Sequence, residues 1–127
     1  MNYNINTVAA NNWIQVSSNT PTIVNTLNIL PNSTCRADAK VTVIDQVNNK
    51  CAMFHVASLI KNVVTGGVLV GSSNIIPLTG DPSLSAVQLS FVVSGNSVSL
   101  QVRGLPATVL DVAVQMTIDM VVLQPTV

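Results

Sequence analysis

The residue types that could do chemistry in this chain are one histidine, two cysteines and five aspartates, and there is no glutamate. His55 lies four residues from Cys51. On a strand that spacing is too long for the two side chains to bind one ion, or to act as base and nucleophile. Only three copies of His55 meeting on the axis of a trimer could form a metal site. We therefore interpret His55 as a structural residue and expect no metal and no other cofactor.

The two cysteines are expected to remain free. A hairpin loop at residues 45–50 would pair Cys51 with Ile44 and Cys35 with Ile60. At roughly 3.3 Å per strand residue, this register separates the two thiols by about 30 Å. A disulfide needs Cα atoms within about 7 Å of each other. The sequence thus predicts two reduced, buried, structural thiols.

The aspartates do not form a catalytic pair in the sequence pattern. Asp45 and Asp81 lie in turn clusters, where aspartate commonly bonds to its own backbone. Asp38 and Asp119 lie on the polar faces of predicted strands. The sequence also contains no Gly-rich phosphate loop, no G-x-S-x-G and no H-E-x-x-H. We therefore expect that the protein is not an enzyme and has no catalytic residues.

Composition restricts the partners of the protein. Hydrophobic residues make up 48% of the 127 residues, charged residues only 8%, and the net charge is +0. Nucleic-acid binding needs a basic stripe, and here the five basic residues are scattered. No segment reaches the roughly 18 apolar residues of a membrane-spanning helix, so we expect no membrane insertion. With few charges to cover its surface, the chain is expected to bury its apolar excess by self-association.

The elements that would position these residues are β-strands. Asp111 to Leu123 alternates apolar and polar residues with a period of two, which is typical of a half-buried strand. We predict an all-β fold, an antiparallel two-sheet β-sandwich of jelly-roll-like form with seven or eight strands. Residues 1–12 are Asn-rich and are predicted to be an N-terminal arm, and residues 13–127 are predicted to be the sandwich domain. The predicted strands are 13–16, 22–30, 35–44, 51–61, 69–76, 86–93, 97–103 and 110–123, with a tight turn at Gly66-Gly67 and a loop from Pro77 to Ser83.

The order of these segments resembles that of a known family. The unit from Val87 to Gly104 reads as a strand, a Ser-Gly-Asn turn, a second strand and Arg-Gly, and it follows the apolar segment A-M-F-H-V at 52–56. In this order the chain, from about residue 22 to residue 123, is similar to the small C-terminal β-sandwich domains of bacteriophage tail fibres and tailspikes. The resemblance implies a homotrimer around a threefold axis that serves in attachment or capping of a virion appendage. The resemblance implies no catalytic residue in this chain.

The sequence departs from this family in two ways. Many members have a tryptophan in the final strand, whereas Leu110 to Leu123 has none. We expect no long fibrous stem before the domain, in which case the protein could be a free-standing head fibre, a capsid decoration or a short baseplate component. No signal peptide is expected from the first residues, which fits a virion protein assembled in the host cytoplasm.

The function predicted from the sequence is that of a virion structural protein that associates with itself and contributes to host attachment. We expect the trimer interface to include five residues, namely Met53, Phe54, Val114, Met116 and Ile118. The arm could bind other virion proteins, and a cell-surface glycan could be a further partner. The alternative function is a carbohydrate-binding module. Sugar sites generally use exposed Trp or Tyr, and only Trp13 and Tyr3 are present, so the structural function is favoured.

Overall fold

The computed structural model of the chain describes residues 2–63 and 66–124. These residues form eight strands and one short 3-10 turn at Pro82–Leu84. The all-β class and the strand number predicted from the alternation are confirmed for the described residues. The strands are β1 (Asn2–Val16), β2 (Thr22–Asn28), β3 (Ser33–Asp45), β4 (Lys50–Val63), β5 (Gly66–Gly80), β6 (Gln88–Ser94), β7 (Ser97–Arg103) and β8 (Leu110–Gln124).

The strands form two antiparallel sheets of unequal size. The larger sheet has the order β1-β8-β3-β4-β5, and the smaller has the order β2-β7-β6. Strands of the larger sheet are 13 to 15 residues long, whereas those of the smaller sheet have 7. Residues of both sheets form one hydrophobic core, which confirms the two-sheet sandwich.

The core follows from the period-two alternation of the central strands. On β3, every second residue from Cys35 to Val43 is buried, and the intervening residues face outward. The same alternation buries one face of β8 from Leu110 to Met120. Burying a Val, Leu or Ile side chain contributes about 1.5–3 kcal/mol. These two neighbouring strands therefore provide the apolar centre on which the smaller sheet packs.

The hairpin of β3 and β4 has the predicted register. Ile44 pairs with Cys51 and Cys35 pairs with Ile60. The predicted adjacency of the two strands is thus confirmed. β4 is an inner strand of the sheet, with β3 on one side and β5 on the other.

Two turns use residues suited to left-handed backbone. In the β3–β4 turn Asn49 has a φ of 53°, which asparagine tolerates better than most residues. Here the Asp45 carboxylate accepts hydrogen bonds from the Asn48 backbone N–H at 3.2 Å and from its side-chain amide at 2.8 Å. These bonds lower the pKa of Asp45. In the β6–β7 turn Gly95 has a φ of 56°, as expected for glycine at the first central position of a two-residue hairpin loop.

The first strand corrects a sequence prediction. A strand was predicted only from Trp13 to Val16, preceded by an arm at 1–12, but β1 begins at Asn2 and pairs with β8 as far as Val16↔Leu110. The reason lies in incomplete burial. Inward-facing residues such as Val8 and Ile14 are only partly buried, and asparagines occupy other inward positions. The hydrophobic alternation is therefore too weak to be visible in the sequence.

The asparagines of this region connect the two sheets. The Asn12 side-chain amide donates to the Val24 carbonyl at 2.8 Å, and that of Asn25 donates to the Ala10 carbonyl at 3.1 Å. Both bonds link β1 to β2 across the sandwich. An amide that satisfies a backbone carbonyl at the margin of a core is a favourable alternative to an apolar side chain there. The Asn-rich composition is thus part of the sandwich.

The second correction concerns β5. The predicted strand ended at Ile76 before a loop at Pro77, but β5 continues to Gly80. Proline is tolerated because β5 is an edge strand of the sheet, where a missing N–H breaks no central ladder. The turn predicted at Gly66-Gly67 is also displaced, since both glycines lie in β5. The residues that join β4 to β5 lie outside the described ranges.

Candidate binding surface

The outer face of the five-stranded sheet carries most of the chemically distinctive side chains. Residues opposite one another on neighbouring strands form rows across this face. One row runs from Trp13 on β1 through Ala113 and Thr42 to Met53 on β4. The next row runs from Asn11 through Gln115 and Lys40 to His55. The smaller sheet lies on the opposite side, so these rows face solvent in the single chain.

A polar cluster occupies the middle of the outer face. Arg36 contacts the carboxylates of Asp38 at 2.9 Å and Asp119 at 3.2 Å. Asp119 also accepts a hydrogen bond from the Thr7 hydroxyl at 2.9 Å. His55 Nε2 lies 3.0 Å from the other oxygen of Asp38. The groups of this cluster satisfy one another, which supports the structural interpretation of His55.

Next to this cluster, the outer face forms an open groove of about 510 Å³. Trp13 and Met53 lie on its two sides, and Ala113 with Thr42 lies between them. Trp13 is 65% exposed, and it is the only tryptophan of the chain. The groove combines an exposed aromatic ring with small neighbours, so a ligand can reach the ring. The outward-facing residues that line it are Asn11, Trp13, Lys40, Thr42, Met53, Ala113 and Gln115.

The opposite edge of the sheet is apolar. Five exposed hydrophobic residues of β5, which we call the β5 patch, are Val68, Val70, Ile75, Ile76 and Leu78. Ile75 and Ile76 are consecutive, and side chains of consecutive strand residues point to opposite faces. Both faces of this edge strand therefore present apolar surface to solvent, an arrangement that favours association with another chain.

The five predicted interface residues separate into two groups. Phe54, Val114, Met116 and Ile118 are each at most 5% exposed and lie in the core of the single chain. Their side chains cannot contact a second chain in this fold, and the prediction is corrected for these four. The physical reason is that the smaller sheet already covers the inner face. Only Met53, which is 45% exposed, remains a candidate contact.

The cysteines and the turn aspartates have structural positions. Both cysteines are free, as predicted. Cys35 is buried with its sulfur 3.2 Å from the Ser33 hydroxyl, whereas Cys51 is exposed, which corrects its predicted burial. Burial raises the pKa of the Cys35 thiol. The Asp81 carboxylate accepts a hydrogen bond from the Cys51 backbone N–H at 2.9 Å and so ties the loop after β5 to the start of β4.

Two kinds of feature are absent from the described residues. In residues 2–63 and 66–124, no three side chains of His, Cys, Asp or Glu are grouped so that they could hold a metal ion. Over the same residues, no helix has the length and apolar character needed to cross a membrane.

Sequence reasoning missed the groove because it placed Trp13 beside a patternless arm. The signal that could have found it is the spacing of Ile5, Thr7, Ala9, Asn11 and Trp13, which share the outer side of β1. These outward residues alternate along β1 with residues that face inward. Each of the two sets contains both apolar and polar side chains. Only the pairing of β1 with β8 reveals which side chains stand beside Trp13.

No protein-family profile and no curated protein matches the sequence. Among solved structures, the chain is similar to the tailspike protein gp49 of Acinetobacter baumannii bacteriophage Fri1, described as a capsular polysaccharide depolymerase. That match has a TM-score of 0.47 and 19% identity, and it covers 97% of this chain and 18% of the tailspike. The tailspike protein of Acinetobacter baumannii phage AM24 matches with a TM-score of 0.47 and 13% identity, over 92% of this chain and 26% of the tailspike. The chain thus spans about a fifth to a quarter of these tailspikes, and at such scores the matches carry no argument about function.

Proposed function

We propose that the protein is a self-associating structural domain of a virion appendage or decoration, and that the β5 patch is where its copies meet. The observation that carries the proposal is the apolar surface on both faces of edge strand β5. One small sandwich leaves this surface in water, while a second copy would cover it.

The edge position of β5 supports a second copy as the occupant. An edge strand presents unpaired backbone N–H and C=O groups, and soluble proteins usually protect such edges with charged residues. From residue 66 to residue 80 the chain has no charged residue. Its net charge of +0 also means that copies do not repel one another through net charge. Apolar burial along this uncharged edge therefore favours contact between copies, and in a trimer the contact is made by the side chains of β5 rather than by pairing of two β5 backbones.

The resemblance of residues 22–123 to the C-terminal domains of tail fibres and tailspikes supports the virion assignment and a trimer. It implies a role in attachment or capping. Under this proposal β5 and Met53 supply interface contacts, and the inner face of the sheet holds each subunit together.

The test is the mass of the protein in solution, measured by light scattering after size-exclusion chromatography. The account expects about 40 kDa, three times the 13.3 kDa of one chain. Val70→Asp places a charge in the β5 patch at a residue that is 45% exposed, so the subunit should fold and the trimer should be lost. A matched control is Val47→Asp in the β3–β4 turn, where the same substitution falls on a residue that is 84% exposed.

The control should remain a trimer. A wild-type protein that is monomeric at high concentration would overturn the proposal and leave the carbohydrate-binding module as the better function. If the Val70→Asp variant is still a trimer, the claim of self-association stands, but the β5 patch is not the interface.

A further inference from the structure

His55 lies where the polar cluster of the outer face meets the β5 patch. On β4 it pairs with Lys40 of β3 on one side and with Ile76 of β5 on the other. Ile76 belongs to the β5 patch, and the side chains of paired residues lie on the same face of a sheet, about 5 Å apart. Met53, two residues before His55 on β4, shares that face. The imidazole is therefore flanked by surface that the proposed contact between copies would cover.

The ring is held by a carboxylate of β3. Its Nε2 lies 3.0 Å from Asp38 Oδ1, and the other oxygen of that carboxylate contacts Arg36 at 2.9 Å. Since an ionised carboxylate can only accept, Nε2 carries the proton of a neutral ring and Nδ1 is left as an acceptor. The side chain of His55 is 35% exposed, so water reaches the ring in the single subunit.

The charges around the ring balance only while it is neutral. The charged groups of the outer face beside it are two cations and two anions, namely Arg36, Lys40, Asp38 and Asp119. On its other side, β5 has no charged residue from position 66 to position 80. The other titratable residues of β4 are Lys50, Cys51 and Lys61, each at least four positions away. Protonation of His55 thus adds an uncompensated positive charge directly beside an apolar edge.

From these observations we propose that His55 makes the association of copies sensitive to pH, so that acid separates them. The inference rests on the proposed function, because it concerns regulation of the β5 contact. Histidine is the side chain that ordinarily changes charge between about pH 5 and pH 8, and this chain has one. In the single subunit, water and Asp38 stabilise the charged ring. A second copy that covers Ile76 removes that water, which makes the charge unfavourable in the assembly.

The sign of the effect follows from proton linkage. The separated subunit binds the proton more readily, so a fall in pH through the histidine range shifts the equilibrium toward separate subunits. Asp38 does not reverse this sign, because Arg36 already balances its charge. Between pH 7.5 and pH 5.5, the protein concentration at which half of the assembly dissociates should rise at least about tenfold, within the usual range for coupling between two sites.

Light scattering after size-exclusion chromatography at the two pH values tests the switch. The wild type should be a trimer at pH 7.5 and should shift toward the 13.3 kDa subunit at pH 5.5. His55→Gln retains an amide that can donate to Asp38 but cannot take up a proton, so it should be a trimer at both. Lys40→Gln removes the cation opposite the ring and should move dissociation to lower pH. The matched control Lys50→Gln, at the start of β4, should dissociate as the wild type does.

The single imidazole also reports the linkage directly by proton NMR. Its ring signal should titrate at a lower pH in the wild-type assembly than in Val70→Asp, which the proposed function expects to be monomeric. Val70 pairs with Leu59, four positions from His55 on β4, or about 13 Å. At physiological ionic strength the introduced aspartate is therefore largely screened from the ring.

Three results would overturn the switch and leave the proposed assembly intact. They are a wild-type trimer of unchanged mass at pH 5.5, a His55→Gln variant that dissociates as the wild type does, and equal titration of the ring in the wild type and in Val70→Asp. A wild type that is already monomeric at pH 7.5 would refute the proposed function, and the switch with it. Circular dichroism should show the same folded β-protein at both pH values, and a loss of that signal at pH 5.5 would mean that acid unfolds the subunit, which also contradicts the switch.

Discussion

The inner and outer faces of the five-stranded sheet are made by the same strands, yet they differ in composition and role. On β8, Val114 and Met116 face inward and are almost fully buried, while Ala113 and Gln115 face outward and line the groove. The inner face is mostly apolar because a second sheet packs on it. The outer face is divided into a polar cluster, a groove and an apolar edge. Fold stability thus depends on one face, and the proposed interactions depend on the other and on the exposed edge.

The sharpest test of this division compares two methionines. Met116 is 1% exposed on the inner face, and Met53 is 45% exposed on the outer face. Met116→Asp buries an unpaired charge and should destabilise the subunit by at least about 3 kcal/mol, a large part of the stability of a small domain. Met53→Asp should change the free energy of unfolding of the dissociated subunit, compared in the Val70→Asp background, by no more than about 0.5 kcal/mol. Urea denaturation of the two variants measures this difference, and similar destabilisation by both would refute the division.

A smaller effect is expected at the two thiols. Cys51 should react with a thiol reagent in the native protein, whereas Cys35 should react only after unfolding. The Cys51→Ser variant should have no rapidly reacting thiol. If both thiols react at the same rate without denaturant, the reagent reaches Cys35 in the native protein, and the smaller sheet does not close the inner face.

The raised pKa of Cys35 also predicts a pH dependence. Below the ordinary thiol pKa of 9.0, the thiol is neutral in both the folded and the unfolded chain. As pH rises above that value, the unfolded chain loses this proton while the folded chain retains it. Stability should therefore fall until pH reaches the raised pKa of the folded state. In the Cys35→Ala variant, the free energy of unfolding should fall less over this pH range. Urea denaturation of both proteins from pH 8 to pH 10.5 measures the difference.

The smallest effect is expected in the polar cluster of the outer face. Asp38→Asn removes the ion pairs with Arg36 and His55. Because these groups are partly exposed, the loss should be below about 1 kcal/mol and should shrink in high salt. Urea titrations at low and high ionic strength measure it. A loss of several kcal/mol would mean that the outer face, too, determines the fold.

The sequence predicted the fold where burial is complete. β3, β4 and β8 each have one fully buried face, so their alternation gave correct strands and the correct hairpin register from Cys35 to Ile60. It did not predict β1 as far back as Asn2, because partial burial allows asparagines on the inward side. It also ended β5 too early, because the rule that proline ends a strand does not apply at a sheet edge.

The site was harder to predict than the fold. Met53 stays a candidate contact, but the four other interface candidates were chosen for hydrophobicity, which marks the core as readily as an interface. The sequence alone cannot tell which apolar face a second sheet covers. Trp13, Lys40 and Gln115 are distant in sequence and become neighbours only through the pairing of β1, β8 and β3.

The most direct test of the central claim is amide hydrogen exchange of wild-type protein and Val70→Asp, compared over the two edge strands. If copies associate through β5, peptides that cover residues 66–80 should exchange slowly in the wild type and much faster in the variant. Peptides that cover β1, from Asn2 to Val16, should exchange alike in both. Equal exchange of β5 in the two proteins, or a change confined to β1, would contradict the claim that this protein assembles through its β5 edge.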